Sequence, residues 1–317
     1  MELYTIEGKR PDLNGETLKY NEPEGYIGSK ILPVTITADK SGTIYYHKPD
    51  ALKEAQTDRV SGTAPDDDLL TNADTTYMCG EVIKRGSVAE EEVKEYGGIE
   101  KADIVGAKFA VRSVATKVEG GIADLTLKAD GAADYDFVPG NALLDAQAAM
   151  DAIEDYAGDV TLVASKTVIK TLWKMLHLDD EAYRMIRRIT GGNALVGFEQ
   201  IKDLVATLLG VDRVLVGHNS VWNKGVRGTR FAIAKLTTEF DGLTHKYEAL
   251  FGVQKVYTPD PVNPAWPFEV ESIPDRKCKS NHYDATLRHA NVILNAGAAK
   301  VFALSDYSDS ASASASA

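Results

Sequence analysis

The sequence IGSKILPVTITADKSGTIYYHK, residues 27–48, decides how the rest of the chain is interpreted. Its β-branched and aromatic residues predict two strands, at 31–37 and 43–47, joined by a turn that contains Gly42. A third strand is predicted at 75–79. The polar segment between them, residues 48–74, has seven acids against three bases and cannot form a core of its own.

A long polar loop inside a compact domain is unusual unless it has a function. A lone two-stranded arm is also only marginally stable in water. The pattern therefore indicates an arm that projects from its own subunit and binds a neighbouring one.

The order of these residues resembles that of tailed-phage major capsid proteins, which share the Hong Kong 97-type fold. The resemblance rests on residues 27–34, on 42–46, and on Tyr77-Met78-Cys79-Gly80-Glu81 after the polar loop, and it continues to about Leu304. In that family the stretch is the extended loop, or E-loop, which lies across the adjacent subunit. The resemblance implies an α+β fold with these parts: an N-terminal arm at 1–28, a β-hairpin E-loop at 29–86, a peripheral domain with a long spine helix at 87–140, an α/β axial domain at 141–275, closing strands at 276–304, and a disordered Ser/Ala tail at 305–317.

Composition sets limits on the function. The chain has 317 residues, 44% of them hydrophobic, and a formal net charge of -12. A surface that clamps nucleic acid needs clustered Lys and Arg, so this charge argues against it. The negative net charge is compatible with a protein shell that encloses DNA without binding it tightly. An acidic surface also favours solubility in general.

Targeting and redox signals are weak. The two cysteines, Cys79 and Cys278, lie far apart and form no CxxC, which argues against a disulfide framework or a zinc ribbon. No secretory signal is predicted at residues 1–20. No apolar run approaches the roughly 20 residues that span a bilayer.

Periodicity predicts the remaining elements. Residues 1–24 are polar and predict an arm. A helix is predicted at 99–119 with its apolar stripe on one side and Lys101, Lys108, Arg112 and Glu119 on the other; Gly120 and Gly121 are expected to end it. Further helices are predicted at 141–156, 166–176 with Ser165 as N-cap, 180–189 and 199–209, and strands at 122–127, 160–164, 211–216, 230–236, 252–258, 268–273, 282–287 and 299–304.

Motifs for catalysis are weak. There is no phosphate-binding glycine loop, and Gly191-Gly192 follows a predicted helix, where it serves as a stop. The six histidines show no HxH or HExxH spacing. Ser220 lies near His218 but lacks the GxSxG elbow. Asp66-Asp67-Asp68 could bind a divalent cation, but an acidic run is usually solvated. The sequence therefore predicts no catalytic, cofactor or metal site.

Candidate functional residues lie instead at surfaces expected to contact other copies. Arg184, Arg187 and Arg188 form the strongest basic cluster; they could make salt bridges between subunits, or simply complement the dipole of a helix that Asp179, Asp180 and Glu181 open. A second cluster consists of Lys224, Arg227 and Arg230. The predicted assembly interface comprises Tyr45, Tyr46, His47, Lys48, Arg59, Tyr77, Arg184, Arg187 and Arg188.

The resemblance implies a non-enzymatic structural subunit of an icosahedral phage or prophage head, made in the host cytoplasm. Its expected partners are copies of itself in hexamers and pentamers, a separate scaffolding protein, a portal and decoration proteins, with DNA enclosed and no membrane contact. One alternative is an encapsulin-like nanocompartment shell, which holds cargo enzymes. Another is a cytoplasmic α/β enzyme or small-molecule binding protein built on residues 160–217.

Overall fold

The computed structural model describes residues 25–49, 73–191, 197–246, 248–258, 268–275 and 280–304. Several predicted features lie outside these ranges: the arm at 1–24, Arg59, the acidic run at 66–68, Cys278 and the tail at 305–317. The chain divides into two compact units, each built from three segments. Unit 1 falls within residues 1–43, 76–122 and 253–292, and unit 2 within 44–75, 123–252 and 293–317.

The opening stretch contains a short helix, α1 (Gly28–Ile31), and the strands β1 (Val34–Thr37), β2 (Ser41–Tyr46) and β3 (Ala73–Met78). The predicted strands at 43–47 and 75–79 are confirmed as β2 and β3, which form a two-stranded sheet. The first strand starts later than predicted, because Ile31 belongs to α1. Burial explains this, since Ile31 and Leu32 are almost completely buried at the end of the helical turn.

Unit 1 combines a sheet with most of one long helix, α2 (Ile99–Thr126). Besides β1, the strands of this sheet are β4 (Gly80–Ala89), β9 (Gly252–Tyr257), β10 (Phe268–Asp275) and β11 (Ser280–Ile293). The sheet order is β1-β9-β11-β10, and β4 also pairs with β11. Strand β4 was not predicted, and β11 extends beyond the predicted 282–287.

Helix α2 and the sheet touch at two glycines. A Cβ on Gly86 would lie 2.3 Å from the carbonyl oxygen of Gly106, and a Cβ on Gly106 would lie 2.3 Å from the ring of Tyr283. The hydroxyl of Tyr283 donates a hydrogen bond to the buried carboxylate of Asp103 on the same helix. Any side chain at these glycines would push the helix off the sheet.

Two predictions fail at the end of α2. The helix continues through Gly120 and Gly121 to Thr126, and the predicted strand at 122–127 is helical. A glycine costs a helix roughly 1 kcal/mol relative to alanine. Burying Ile122 and Leu127, which are 1% and 0% exposed, contributes about 1.5–3 kcal/mol each and outweighs that cost.

Unit 2 contains a second sheet, ordered β5-β12-β8-β6-β7. Three stacked or edge-on rings, Phe137, Phe231 and Phe302, lie at its centre, with centroids 4.8–6.2 Å apart. The strands are β5 (Tyr135–Phe137), β6 (Asp159–Ser165), β7 (Arg213–Gly217), β8 (Arg230–Leu236) and β12 (Ala299–Leu304). Apart from β5, which was not predicted, they confirm the predicted strands to within two residues.

The helices of unit 2 connect these strands. They are α3 (Ala142–Asp151), α4 (Lys166–Leu176), α5 (Asp180–Thr190), α6 (Phe198–Leu209) and α7 (Asn219–Trp222). Ser165 caps α4 as predicted, since its hydroxyl accepts the N–H of Val168. Gly191 and Gly210 have the left-handed backbone expected of helix stops. Helix α3 ends at Asp151 instead of 156, because residues 152–155 form turns.

Short 3₁₀ helices complete the described secondary structure. They are Glu92–Lys94, Gly225–Thr229, Thr244–Lys246 and Ala296–Ala298.

Candidate assembly surfaces

The described part of the chain contains no candidate metal site. No three His, Cys, Asp or Glu side chains are grouped there in a way that could hold a metal ion. Cys79 is a free thiol, and burial raises the pKa of this thiol.

The Ser220 and His218 side chains do meet. The Oγ of Ser220 lies 2.7 Å from Nδ1 of His218. The same ring nitrogen accepts the backbone N–H of Ser220 at 3.3 Å, and His218 is the N-cap residue of α7. Helix capping therefore explains the short distance between Ser220 and His218, and this distance does not indicate a catalytic nucleophile.

The predicted interface residues near the E-loop occupy different environments. Tyr45 is 56% exposed and Lys48 is exposed, whereas Tyr46 and Tyr77 are half-buried. The hydroxyl of Tyr77 lies 3.2 Å from Oγ1 of Thr37. Among the described residues of this predicted group, Tyr45 and Lys48 have exposed side chains.

His47 has a different environment, since its side chain is only 1% exposed. Its N–H donates to the carbonyl of His245 at 3.0 Å, and its carbonyl accepts from the side-chain amide of Asn295 at 3.2 Å. Neither ring nitrogen has a hydrogen-bond partner among the described residues. The backbone of His47 thus fixes the end of β2 within unit 2.

The three arginines on α5 are exposed. The helix packs Ala182 and Ile186 inward, at 0% and 3% exposure, which leaves Arg184, Arg187 and Arg188 facing outward. None of the three forms an ion pair within the described ranges.

Aromatic rings extend this surface onto α4. The guanidinium of Arg187 lies 5.8 Å from the ring centre of Tyr183, which is 6.0 Å from His177. The ring of His177 in turn packs edge-on against Trp173 at 4.3 Å. Exposed Tyr183, Met185 and Ile189 add apolar area. Arg, Met and aromatic residues together are typical of protein interfaces.

The second basic cluster has a structural role. Arg227 makes two hydrogen bonds to the carboxylate of Asp124, at 2.6 and 2.9 Å, and a third to the carbonyl of Val221. Arg230 donates to the carbonyls of Leu127 and Lys128. These carbonyls directly follow α2, so Arg230 holds the turn after that helix, while Arg227 holds its last turn through Asp124.

Glu119 has a role that the sequence did not reveal. Predicted to lie on the polar side of α2, it is only 5% exposed. Its two oxygens accept the backbone N–H groups of Ile27 and Gly28, at 2.8 and 2.9 Å. A Cβ on Gly28 would lie 2.5 Å from one of these oxygens. Glu119 therefore fixes the backbone of residues 27 and 28 against α2, and no local sequence signal could have shown it.

Unit 1 also contains a cavity of about 210 Å³ between the sheet and α2. Its lining is mainly apolar and includes Val34, Val118, Phe268 and Leu287. Glu119 is the acidic residue in that lining, and its oxygens already hold the two backbone groups at residues 27 and 28.

The β4 side of the unit 1 sheet carries cross-strand ion pairs. Arg85 binds both carboxylate oxygens of Asp284 at 2.6 Å, and Arg288 reaches Glu81 at 2.9 Å and Glu269 at 3.2 Å. These pairs hold three strands in register. His289, next to them, is half-buried, and this desolvation lowers the pKa of its imidazole.

The chain resembles known proteins in its three-dimensional structure. No family model matches the sequence, and no curated protein matches it. A phage-related protein from Bordetella bronchiseptica RB50 is similar, with a TM-score of 0.64 and 18% identity over 94% of this chain and 98% of that chain.

Two further structures match over similar lengths. A chain from Microbacterium phage Oxtober96 has a TM-score of 0.53 and 11% identity over 96% of this chain and 95% of its own. A chain from Mycobacterium phage Bobi has a TM-score of 0.52 and 13% identity over the same shares. At these identities the likeness establishes the fold of nearly the whole chain. No helix in the described ranges is long and apolar enough to cross a membrane.

Proposed function

We propose that this chain, which has the Hong Kong 97-type capsid fold, is a structural subunit of an icosahedral phage or prophage head. The observation that carries the proposal is the match to a phage-related protein over 94% of this chain and 98% of that one. The predicted α+β class and capsid fold are confirmed by this likeness. The role is mechanical and not catalytic.

The mechanism is geometric. Unit 1 provides the peripheral part and unit 2 the axial part of each subunit, and the E-loop, with exposed Tyr45 and Lys48, lies across a neighbour. Obligate interfaces of this kind bury about 2,000–5,000 Å². Contacts that are modest one by one become strong when a closed lattice engages many of them together. Copies of this chain are the principal partners, and a scaffolding protein, a portal and decoration proteins complete the head.

The purified full-length chain tests this function. Size-exclusion chromatography with negative-stain microscopy should show closed shells made of hexamers and pentamers. A chain that elutes as a discrete monomer or dimer would contradict the proposal and favour an enzyme or binding protein built on residues 160–217.

Removal of the polar part of the E-loop sharpens the test. Deleting residues 49–72 should leave a soluble, folded protein that forms no shells, because those residues contribute contacts on a neighbour. The matched control is the full-length chain expressed and purified in parallel. Normal particles from the deletion variant would count against an arm that reaches another copy.

The contents of the particles separate a virus head from a nanocompartment. A head should enclose double-stranded DNA when it is purified from the producing host, whereas a nanocompartment should enclose a protein cargo. Nuclease digestion and mass spectrometry of opened particles distinguish the two.

A further inference from the structure

We propose that the basic face of α5 in one copy binds the acidic turn before β6 in the next copy, so that subunits join head to tail into rings. This inference rests on the proposed function and specifies which surfaces meet. The basic face is Arg184, Arg187 and Arg188. The acidic turn joins α3 to β6 and is defined by Asp151 at the end of α3, Glu154 and Asp155 in the turn, and Asp159 at the start of β6.

The basic face is built for a partner. All three arginines are exposed and unpaired with any acid among the described residues. The same helix exposes Tyr183 at 40% and Ile189 at 49%. A rigid helix that carries arginines beside exposed aromatic and aliphatic side chains has the composition of an interface centre.

The acidic turn is its electrostatic complement. Asp151, Glu154 and Asp155 are exposed and Asp159 is half-buried, and none forms an ion pair within the described ranges. Gly158 fixes the turn, since its φ is +111° and a Cβ there would lie 2.4 Å from the backbone of Leu236. The carboxylates are therefore presented on a defined piece of backbone next to β8.

Sheet topology places the start of α5 and the acidic turn at opposite ends of the unit 2 sheet. Strand β5 is parallel to β12, and β12 and β6 are both antiparallel to β8, so β5 and β6 run in the same direction. The N-cap of α5, Asp179, accepts the N–H of Gly140, three residues after the carboxyl end of β5. The acidic turn lies at the amino end of β6 and includes its first residue, Asp159.

The two patches form no ion pair with each other within one copy in the described ranges. Between copies they give a head-to-tail contact, which closes into a ring when the rotation fits. A second copy is favoured over nucleic acid because the chain carries a net charge of -12 and supplies the complementary carboxylates itself. Phosphate binding would need a larger set of clustered cations.

Charge reversal tests the contact. One variant carries Arg187→Glu and Arg188→Glu, and the other carries Glu154→Lys and Asp155→Lys. Because all four positions are exposed, each variant should keep the far-ultraviolet circular dichroism and the unfolding midpoint of the wild type. Each alone should form no shells, because one side of every contact is repelled. The matched control, Arg187→Lys with Arg188→Lys, keeps the charge and should assemble.

Mixing the two variants gives the decisive result. In a ring that alternates them, every contact again joins opposite charges. Alternation closes in a six-membered ring and not in a five-membered one. Native mass spectrometry and negative-stain microscopy of the mixture should therefore show hexamers, without the pentamers that a closed shell requires.

Four outcomes would overturn the inference. The first is assembly of either variant alone as in the wild type, and the second is a mixture of folded variants that forms no rings. The third is reversal of the arginines that leaves shells intact but reduces the DNA they retain, which would assign the basic face to nucleic acid. If the wild-type chain itself forms no shells, the proposed function fails first and the inference falls with it.

Discussion

Two groups of arginines that look alike in the sequence are used in opposite ways. Arg227 and Arg230 point into their own copy, where they bind Asp124 and the carbonyls after α2. Arg187 and Arg188 point outward and bind no acid among the described residues. The first group therefore stabilises the fold of its own copy, whereas the second is exposed and available for the proposed contact with another copy.

The carboxylates show the same division. Glu119 is buried and accepts two backbone hydrogen bonds, whereas Glu154 and Asp155 are exposed on a turn. Inward charges should therefore affect the free energy of unfolding when they are removed, and outward charges should affect assembly alone. The predictions below test the inward group in order of expected effect.

The largest effect is expected at Glu119. Glu119→Ala leaves the N–H groups of Ile27 and Gly28 without their acceptors in a buried site. Hydrogen bonds to a charged group contribute about 1.5–3 kcal/mol each, so the free energy of unfolding should fall by about 3 kcal/mol or more. Urea denaturation of unassembled subunits measures it. Glu119→Gln keeps one acceptor oxygen and should lose less; an equal or greater loss would contradict the account.

A smaller loss is expected at Arg227. Arg227→Ala removes a bidentate bond to Asp124 and a bond to the carbonyl of Val221. The pair is partly exposed, so the loss should be about 2 kcal/mol by the same denaturation measurement. Arg227→Lys keeps the positive charge but cannot make both hydrogen bonds of the guanidinium. Its loss of unfolding free energy should therefore be smaller than that of Arg227→Ala. Lost assembly with unchanged stability would place Arg227 in the outward group and break the comparison.

The smallest effect is a pH dependence at His289. Burial lowers the pKa of this histidine in the folded state, so the unfolded chain binds more protons than the folded chain just below the ordinary histidine pKa. The free energy of unfolding should therefore decrease as pH falls from 7 through that range, until the folded pKa is passed. His289→Gln should show a shallower slope in denaturation series at pH 5–7. An unchanged slope would show that the histidine does not titrate on unfolding.

Much of the fold was predictable because local signals agreed with tertiary packing. In unit 2 the strand β8 and the helix α4 occur with the predicted bounds, and α4 has its predicted Ser165 cap. Helix α6 is followed by Gly210, the glycine predicted to stop it. The resemblance through residues 27–81 also predicted the capsid fold correctly.

Two of the failures, at the end of α2 and at Glu119, share one physical cause: burial that the sequence pattern cannot show. Gly120 and Gly121 indicated a helix stop, but burial of Ile122 and Leu127 carries α2 through them. Strand β4 (Gly80–Ala89) was missed because its outward side chains are polar and charged. Glu119 was assigned to the solvent side because its partners lie about 90 residues earlier in the chain.

The candidate site was predicted only in part. The α5 arginines are exposed, as an interface requires, but exposure does not identify a partner. His47, placed in the same predicted interface, is buried within its own copy. Arg59 lies outside the described residues. Which residues contact a neighbour therefore stays a prediction.

Cryo-electron microscopy of the assembled wild-type chain tests the central claim most directly. The account predicts a closed icosahedral shell in which the α5 arginines lie against carboxylates of the next copy, while Arg227 binds Asp124 within one copy. A particle in which the α5 face meets only solvent, or a preparation that contains only single compact subunits, would contradict it.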